Sequence, residues 1–140
     1  TAMADYRWRL RELGGASTSL KAFKGRVLFI NMWATWCGPC VQELAGIQSL
    51  MESLADEAEG LSFLLVSPEE PEVVERFLRV HGYDLPVYQE IQEMPEVFGL
   101  EALPTTWIVD GAGNIVLKYR GAAEWNQEEV RDFLLGLLSG

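Results

Sequence analysis

From Tyr6 to Glu12 apolar and polar positions alternate weakly, with Trp8 and Leu10 set against Arg7, Arg9 and Arg11. That is the period of a half-buried strand. Gly14 and Gly15 close it. Ser17 to Ser19 read as a loop or a short edge strand, and Leu20, Phe23 and Gly25 as one helical turn. Val27 to Met32 is an apolar run with β-branched and aromatic members, the pattern of a central strand covered on both faces. The period then changes. Cys40, Leu44, Ile47, Met51, Leu54 and Ala58 fall at steps of four and three. They form one stripe of a helix of about five turns that closes near Gly60.

Leu61 to Val66 repeats the buried-strand pattern. Pro68 and Pro71 open a second helix, on which Val73, Val74, Phe77 and Leu78 share a face, and Gly82 ends it. Leu85 to Tyr88 fits a short strand, and Pro95 to Phe98 a turn or two of helix closed by Gly99. Thr105 to Val109 and Ile115 to Tyr119 are strands joined by the hairpin turn Asp110-Gly111-Ala112-Gly113-Asn114. Asn126 followed by Glu129 has the spacing of a capping box. It opens a terminal helix whose apolar face carries Val130, Phe133, Leu134, Leu137 and Leu138.

Strand, helix, strand, helix, hairpin, helix predicts an α/β fold. Its central mixed sheet, flanked by helices, combines a right-handed parallel crossover with an antiparallel hairpin. Residues 1–140 read as one domain, without repeats or linkers. Apolar residues make up 49% and charged residues 23%, which excludes general disorder. Eleven Lys and Arg against twenty-one Asp and Glu leave a net charge of −10. That balance argues against nucleic acid and anionic membrane surfaces as partners. No apolar stretch reaches the roughly 20 residues of a membrane span. The chain opens at Thr1 without an initiator Met or a signal-peptide pattern, and reads as a processed or trimmed product.

Cys37 and Cys40 are the only cysteines, separated by Gly38 and Pro39 where a buried strand meets a long helix. A helix start exposes unpaired N–H groups and partial positive charge, which stabilise a thiolate. Pro39 fits there, because the N–H it lacks would be unpaired anyway. Cys37, nearer the helix tip, is the candidate nucleophile. Cys40, one turn inward on the apolar stripe, is the candidate resolving thiol. A structural disulfide would close only a short loop and join nothing distant. A zinc site would need two more ligands, and the only histidine is His81, which reads as a surface residue near a helix end.

Trp36-Cys37-Gly38-Pro39-Cys40 together with Leu103-Pro104-Thr105-Thr106 resembles the thioredoxin superfamily. More narrowly, the chain resembles the TlpA/ResA-like branch of thiol-disulfide oxidoreductases. The likeness includes the leader Leu20 to Gly25, the strand running into Asn31-Met32-Trp33-Ala34-Thr35-Trp36, and an insertion before the hairpin. The resemblance implies a thioredoxin-like fold with an N-terminal strand extension. It implies that Pro104 is cis and faces the cysteines, that Leu103 offers backbone groups to an extended substrate, and that Trp36 lies against Cys37. Asn31 replaces the buried Asp of cytoplasmic thioredoxins, and Glu43 matches a Glu carried by ResA-like members. Spacing places Glu43 beside Cys40, where a buried carboxylate can take its proton. Ala45 stands where the family often has a kinking proline.

The same resemblance implies an extracytoplasmic protein, with a signal or anchor upstream, that acts as a reductant. Its expected clients are oxidised protein thiols such as those of apocytochrome c or a copper-site chaperone, with a membrane thiol reductase as electron donor. No cofactor or metal is expected beyond the Cys37–Cys40 disulfide, and nothing in the sequence demands a dimer. Three other readings compete. A peroxidase needs Pro-x-x-x-Thr-x-x-Cys, whereas Thr35 is two residues before Cys37. A DsbA-type oxidant usually carries a larger helical insertion. A binding or chaperone module would have vestigial cysteines. Finally, the chain between Arg26 and Arg76 holds no Lys or Arg and nine Asp and Glu. It reads as a solvated acidic face or as a surface that steers a basic partner.

Overall fold

Val27–Met32 is buried at every position and forms an interior strand of a seven-stranded mixed sheet, as its two-faced apolar pattern predicts. The computed structural model describes residues 2–140. The strands are β1 (Arg9–Glu12), β2 (Ser17–Ser19), β3 (Val27–Met32), β4 (Leu61–Ser67), β5 (Val87–Glu90), β6 (Thr105–Val109) and β7 (Ile115–Arg120). The helices are α1 (Gly38–Leu54), α2 (Pro71–His81) and α3 (Glu128–Ser139). Short 3-10 turns occupy Leu20–Phe23 and Glu96–Phe98.

Strand order is β2-β1-β5-β4-β3-β6-β7. β3, β4 and β5 are mutually parallel, and the remaining pairings are antiparallel. Parallel pairing of β3 with β4 forces α1 to cross back over the sheet. Both strands therefore deliver their C-terminal ends to one rim. β6 starts at that rim, with Met32 of β3 opposite Thr105. The topology thus brings the segment after β3, which carries the cysteines, beside Pro104, the residue before β6. The insertion is α2 with β5; β5 widens the sheet, and the N-terminal hairpin adds to it.

Alternation along the strands divides the core in two. Phe29, Leu65 and Ile108 point to the face that carries all three α-helices. Leu28, Ile30 and Trp107 point to the other face, which is covered by Trp8 and Leu20 from the N-terminal segment and by Phe98 from the second 3-10 turn. The flanking layers are therefore unequal: α-helical on one side, and single turns with extended chain on the other.

Several boundaries differ from the pattern reading. α1 ends at Leu54, earlier than the stripe to Ala58 implies. Its last turn has no basic residue, and Asp56, Glu57 and Glu59 follow at a helix end whose dipole disfavours anions. Leu50 is fully buried and Met51 only half-buried, because α1 is covered by neighbouring chain as well as by the sheet. Val73 is 49% exposed and Phe133 40% exposed, so the buried stripes of α2 and α3 are narrower than expected. The capping box does not form. The N-cap of α3 is Gln127, with no side-chain bond, while the Asn126 side chain accepts from Arg131 Nη1 at 2.9 Å. Gly82 does end α2, in the left-handed conformation (φ 72°), and the Tyr83 N–H bonds back to Leu78.

Candidate active site

Cys37 is the N-cap residue of α1, and its Sγ accepts the backbone N–H of Cys40 at 3.3 Å. Pro39 sits in the first turn, where no N–H is missed. The two cysteines form a disulfide with their Cα atoms 5.3 Å apart. Cys37 retains 7% exposure and Cys40 none, so the sulfur at the helix tip is the accessible one. Trp36, next to it, is 73% exposed, whereas Trp33 is wholly buried against Phe77. Trp36 is thus a surface side chain at the rim, not part of the core.

The Leu103–Pro104 peptide is cis. Pro104 is buried and Leu103 half-buried, and the Pro104 carbonyl accepts the N–H of Gly121 at 2.8 Å. Lys118 reaches from β7 to the Gly99 carbonyl at 2.6 Å, and Arg120 to Glu101 at 3.1 Å. The approach to Pro104 is therefore held from β7 on the far side.

Glu43 lies one turn beyond Cys40 on α1 and is only 3% exposed. Its Oε2 accepts the indole N–H of Trp125 at 2.6 Å and the backbone N–H of Ala123 at 3.0 Å. Among the described residues its Oε1 accepts only the Asn31 side-chain N–H, at 3.3 Å. Asn31 also donates to Thr106 Oγ1 at 2.9 Å. Burial raises the carboxyl above its ordinary value, and these three donors partly offset it by favouring the charged form. Asn31 and Glu43, which the resemblance paired only by type, are hydrogen-bonded.

The AhpC/TSA family model matches residues 5–118. The chain belongs to the AhpC/TSA family. Thiol-disulfide oxidoreductase ResA of Halalkalibacterium halodurans is 29% identical over 127 residues, covering 89% of this chain and 70% of that one. Thioredoxin-like protein YneN of Bacillus subtilis is 31% identical over 107 residues, covering 76% of this chain and 63% of that one. The solved thiol:disulfide interchange protein, a thioredoxin family protein from Chlorobium tepidum, superposes with a TM-score of 0.74 at 20% identity. That superposition covers 97% of this chain and 98% of the other. This AhpC/TSA member thus has a thioredoxin-like oxidoreductase fold, and its relatives are ResA-like, as its motifs imply. It is a thiol-disulfide oxidoreductase.

Two residues of the site escape a reading of motifs. Trp125 is one; its only sequence trace is an aromatic among polar residues before the last helix. Glu69 is the other, and it appears in the sequence as one more member of the acidic run. It accepts Thr35 N–H at 2.7 Å, Thr35 Oγ1–H at 2.6 Å and Ser67 Oγ–H at 2.9 Å. The carboxylate thereby ties the end of β4 to the segment that leads into Cys37. Part of the acidic run is structural, not solvated. It also occupies Thr35, the residue nearest to the threonine of a peroxidase pattern. His81 lies exposed at the end of α2 with its ring 4.2 Å from that of Phe77.

Proposed function

We propose that this oxidoreductase reduces disulfides of extracytoplasmic proteins through Cys37 and Cys40. The observation that carries the reading is the pair's placement. Cys37 is accessible at the start of α1 beside an exposed Trp36, and Cys40 is sealed one turn below, next to a buried Glu43. The Cys37 thiolate attacks a client disulfide, forming a mixed disulfide and releasing one client thiolate. Glu43 takes the proton of Cys40, whose thiolate attacks Cys37 Sγ. The second client thiolate leaves, and Cys37 and Cys40 end as a disulfide. Two electrons pass to the client, and an external dithiol must restore them. Leu103 and Pro104 present backbone to the client, with Trp36 beside it. Gly38 and Pro39 keep the spacing and the helix start.

The reductant direction rests on Gly-Pro between the cysteines, as in strongly reducing thioredoxins. Extracytoplasmic location rests on the ResA-like likeness carried by Asn31, Glu43 and the α2–β5 insertion. By the same likeness the clients include haem-attachment cysteines of apocytochrome c, and a membrane thiol reductase supplies the electrons. The dithiol is the only redox group used, and the protein works as a monomer. Equilibration in defined thiol-disulfide buffers tests the direction. A potential well below about −200 mV is expected; one near the DsbA end would make the protein an oxidant. A pair that does not cycle would leave a binding module.

A further inference from the structure

We propose that Trp125 is a positioning residue for Glu43: with the Ala123 N–H it holds Oε2, and so presents Oε1 as the oxygen that takes the proton of Cys40. The inference rests on the proposed role of Glu43 as base. Its evidence is the unequal treatment of the two oxygens. Oε2 has two donors, at 2.6 and 3.0 Å, whereas Oε1 has one, at 3.3 Å. A proton goes to the oxygen with the free lone pair, because protonating the other would displace one of its two donors and remove the charge that assists the second.

The neighbour of Oε1 supports this assignment. Asn31 is fully buried, yet its Oδ1 has no donor among the described residues. Orphaned buried acceptors are uncommon and carry a cost. With Glu43 ionised, Asn31 turns its N–H toward Oε1. With Oε1 protonated, a reversed Asn31 amide accepts the new O–H through Oδ1 and the Thr106 hydroxyl turns to donate, while the amide N–H groups take the unpartnered place that Oδ1 now holds. Each protonation state thus has its own orientation of one amide.

Trp125 is built to stay fixed through that change. It is 4% exposed, edge-on to Phe29 at 5.2 Å and to Tyr119 at 5.7 Å. The titratable groups around Glu43 are Cys40 on α1, Cys37 at the N-cap of that helix, Tyr119 on β7 behind the indole, and Glu124 beside Ala123. Glu124 and Glu43 line the same cleft of about 230 Å³, with Gln42, Ala122 and Ala123. None of these is a cation, so hydrogen bonds alone oppose the desolvation of the carboxylate.

Two measurements on the full chain in its reduced form test the proposal. In the unaltered protein, the Trp125 indole N–H and the Asn31 side-chain amide signals, followed by NMR across pH, are expected to titrate with the Glu43 carboxyl carbon. The indole signals of Trp8 and Trp107, bonded to the carbonyls of Gln92 and Phe98, are expected not to. In Trp125→Phe, which keeps an aromatic ring but loses the donor, the Glu43 midpoint is expected to move up. Resolution of a Cys37 mixed disulfide with a small thiol is expected to slow by roughly tenfold at pH 7. A Trp125 indole signal indifferent to the Glu43 titration, or a Glu43 midpoint unmoved in folded Trp125→Phe, overturns the proposal. The base role fails separately: Glu43→Gln would then keep the pH dependence of resolution that Glu43 is meant to supply.

Discussion

A carboxyl that folding buries responds to pH in the opposite sense from one that folding pairs with a cation. Glu43 has its ordinary value of 4.5 when unfolded and a higher one in the fold, chiefly through desolvation. Between the two the folded state holds a proton that the unfolded state has released. Its contribution to stability is full below about pH 4.5 and is lost as pH rises through the folded value. The melting temperature of the reduced protein is therefore expected to fall over that interval. The profile of Glu43→Gln should be flatter, and identical profiles would contradict the assignment. The two sulfurs divide differently. Cys40→Ser should accumulate a mixed disulfide with an oxidised client, visible as added mass on Cys37, and Cys37→Ser should accumulate none. At this scale the sequence was informative about residue types and silent about partners. Glu43 stands out through the resemblance and through its helical spacing from Cys40. Besides Asn31, its partners are Ala123 and Trp125, 80 and 82 positions away in the chain, where no local pattern reaches.

Elements were legible where one face repeated and illegible where tertiary contacts chose between equal options. β3, β4 and β6 follow their apolar runs because both of their faces are buried over most of their length. The start of α3 did not follow its capping pattern. Trp125 is drawn under the sheet face by Glu43, and the helix begins at Glu128. The same competition explains Glu69, whose carboxylate is used within the fold instead of on its surface. Glu69→Ala removes two hydrogen bonds to Thr35, in the segment before Cys37, and one to Ser67 at the end of β4. It is expected to cost about 1–3 kcal/mol and to speed hydrogen exchange at the Thr35 amide, with denaturant titration and exchange NMR as the checks. A change in stability without faster exchange at Thr35 would deny the tie. Leu44→Ala, in the middle of the buried face of α1, should cost about 2–5 kcal/mol by leaving a cavity.

Across the whole molecule the exposed part of the acidic run resolves into two groups at opposite ends. α1 carries Glu52, Asp56, Glu57 and Glu59 to the end of the sheet away from the cysteines, where Gly60 meets Val27. Glu70 and Glu72 open α2 at the cysteine rim, and both are exposed. Only the second group can bias the approach of a client to Cys37. Association with a basic client is thus expected to slow as salt rises. Glu70→Gln with Glu72→Gln should weaken that salt dependence more than the same change at Glu57 and Glu59. Equal effects from both pairs would mean that net charge alone acts. The outer strands carry a different consequence. β2 is three residues of Ser and Thr that run straight into a 3-10 turn. β7, the other edge, bears Lys118 and Arg120, both engaged with the chain before Pro104. One border is too short to template another strand and the other is guarded by cations. Concentrated solutions of the folded protein should therefore resist growth into stacked β-fibrils.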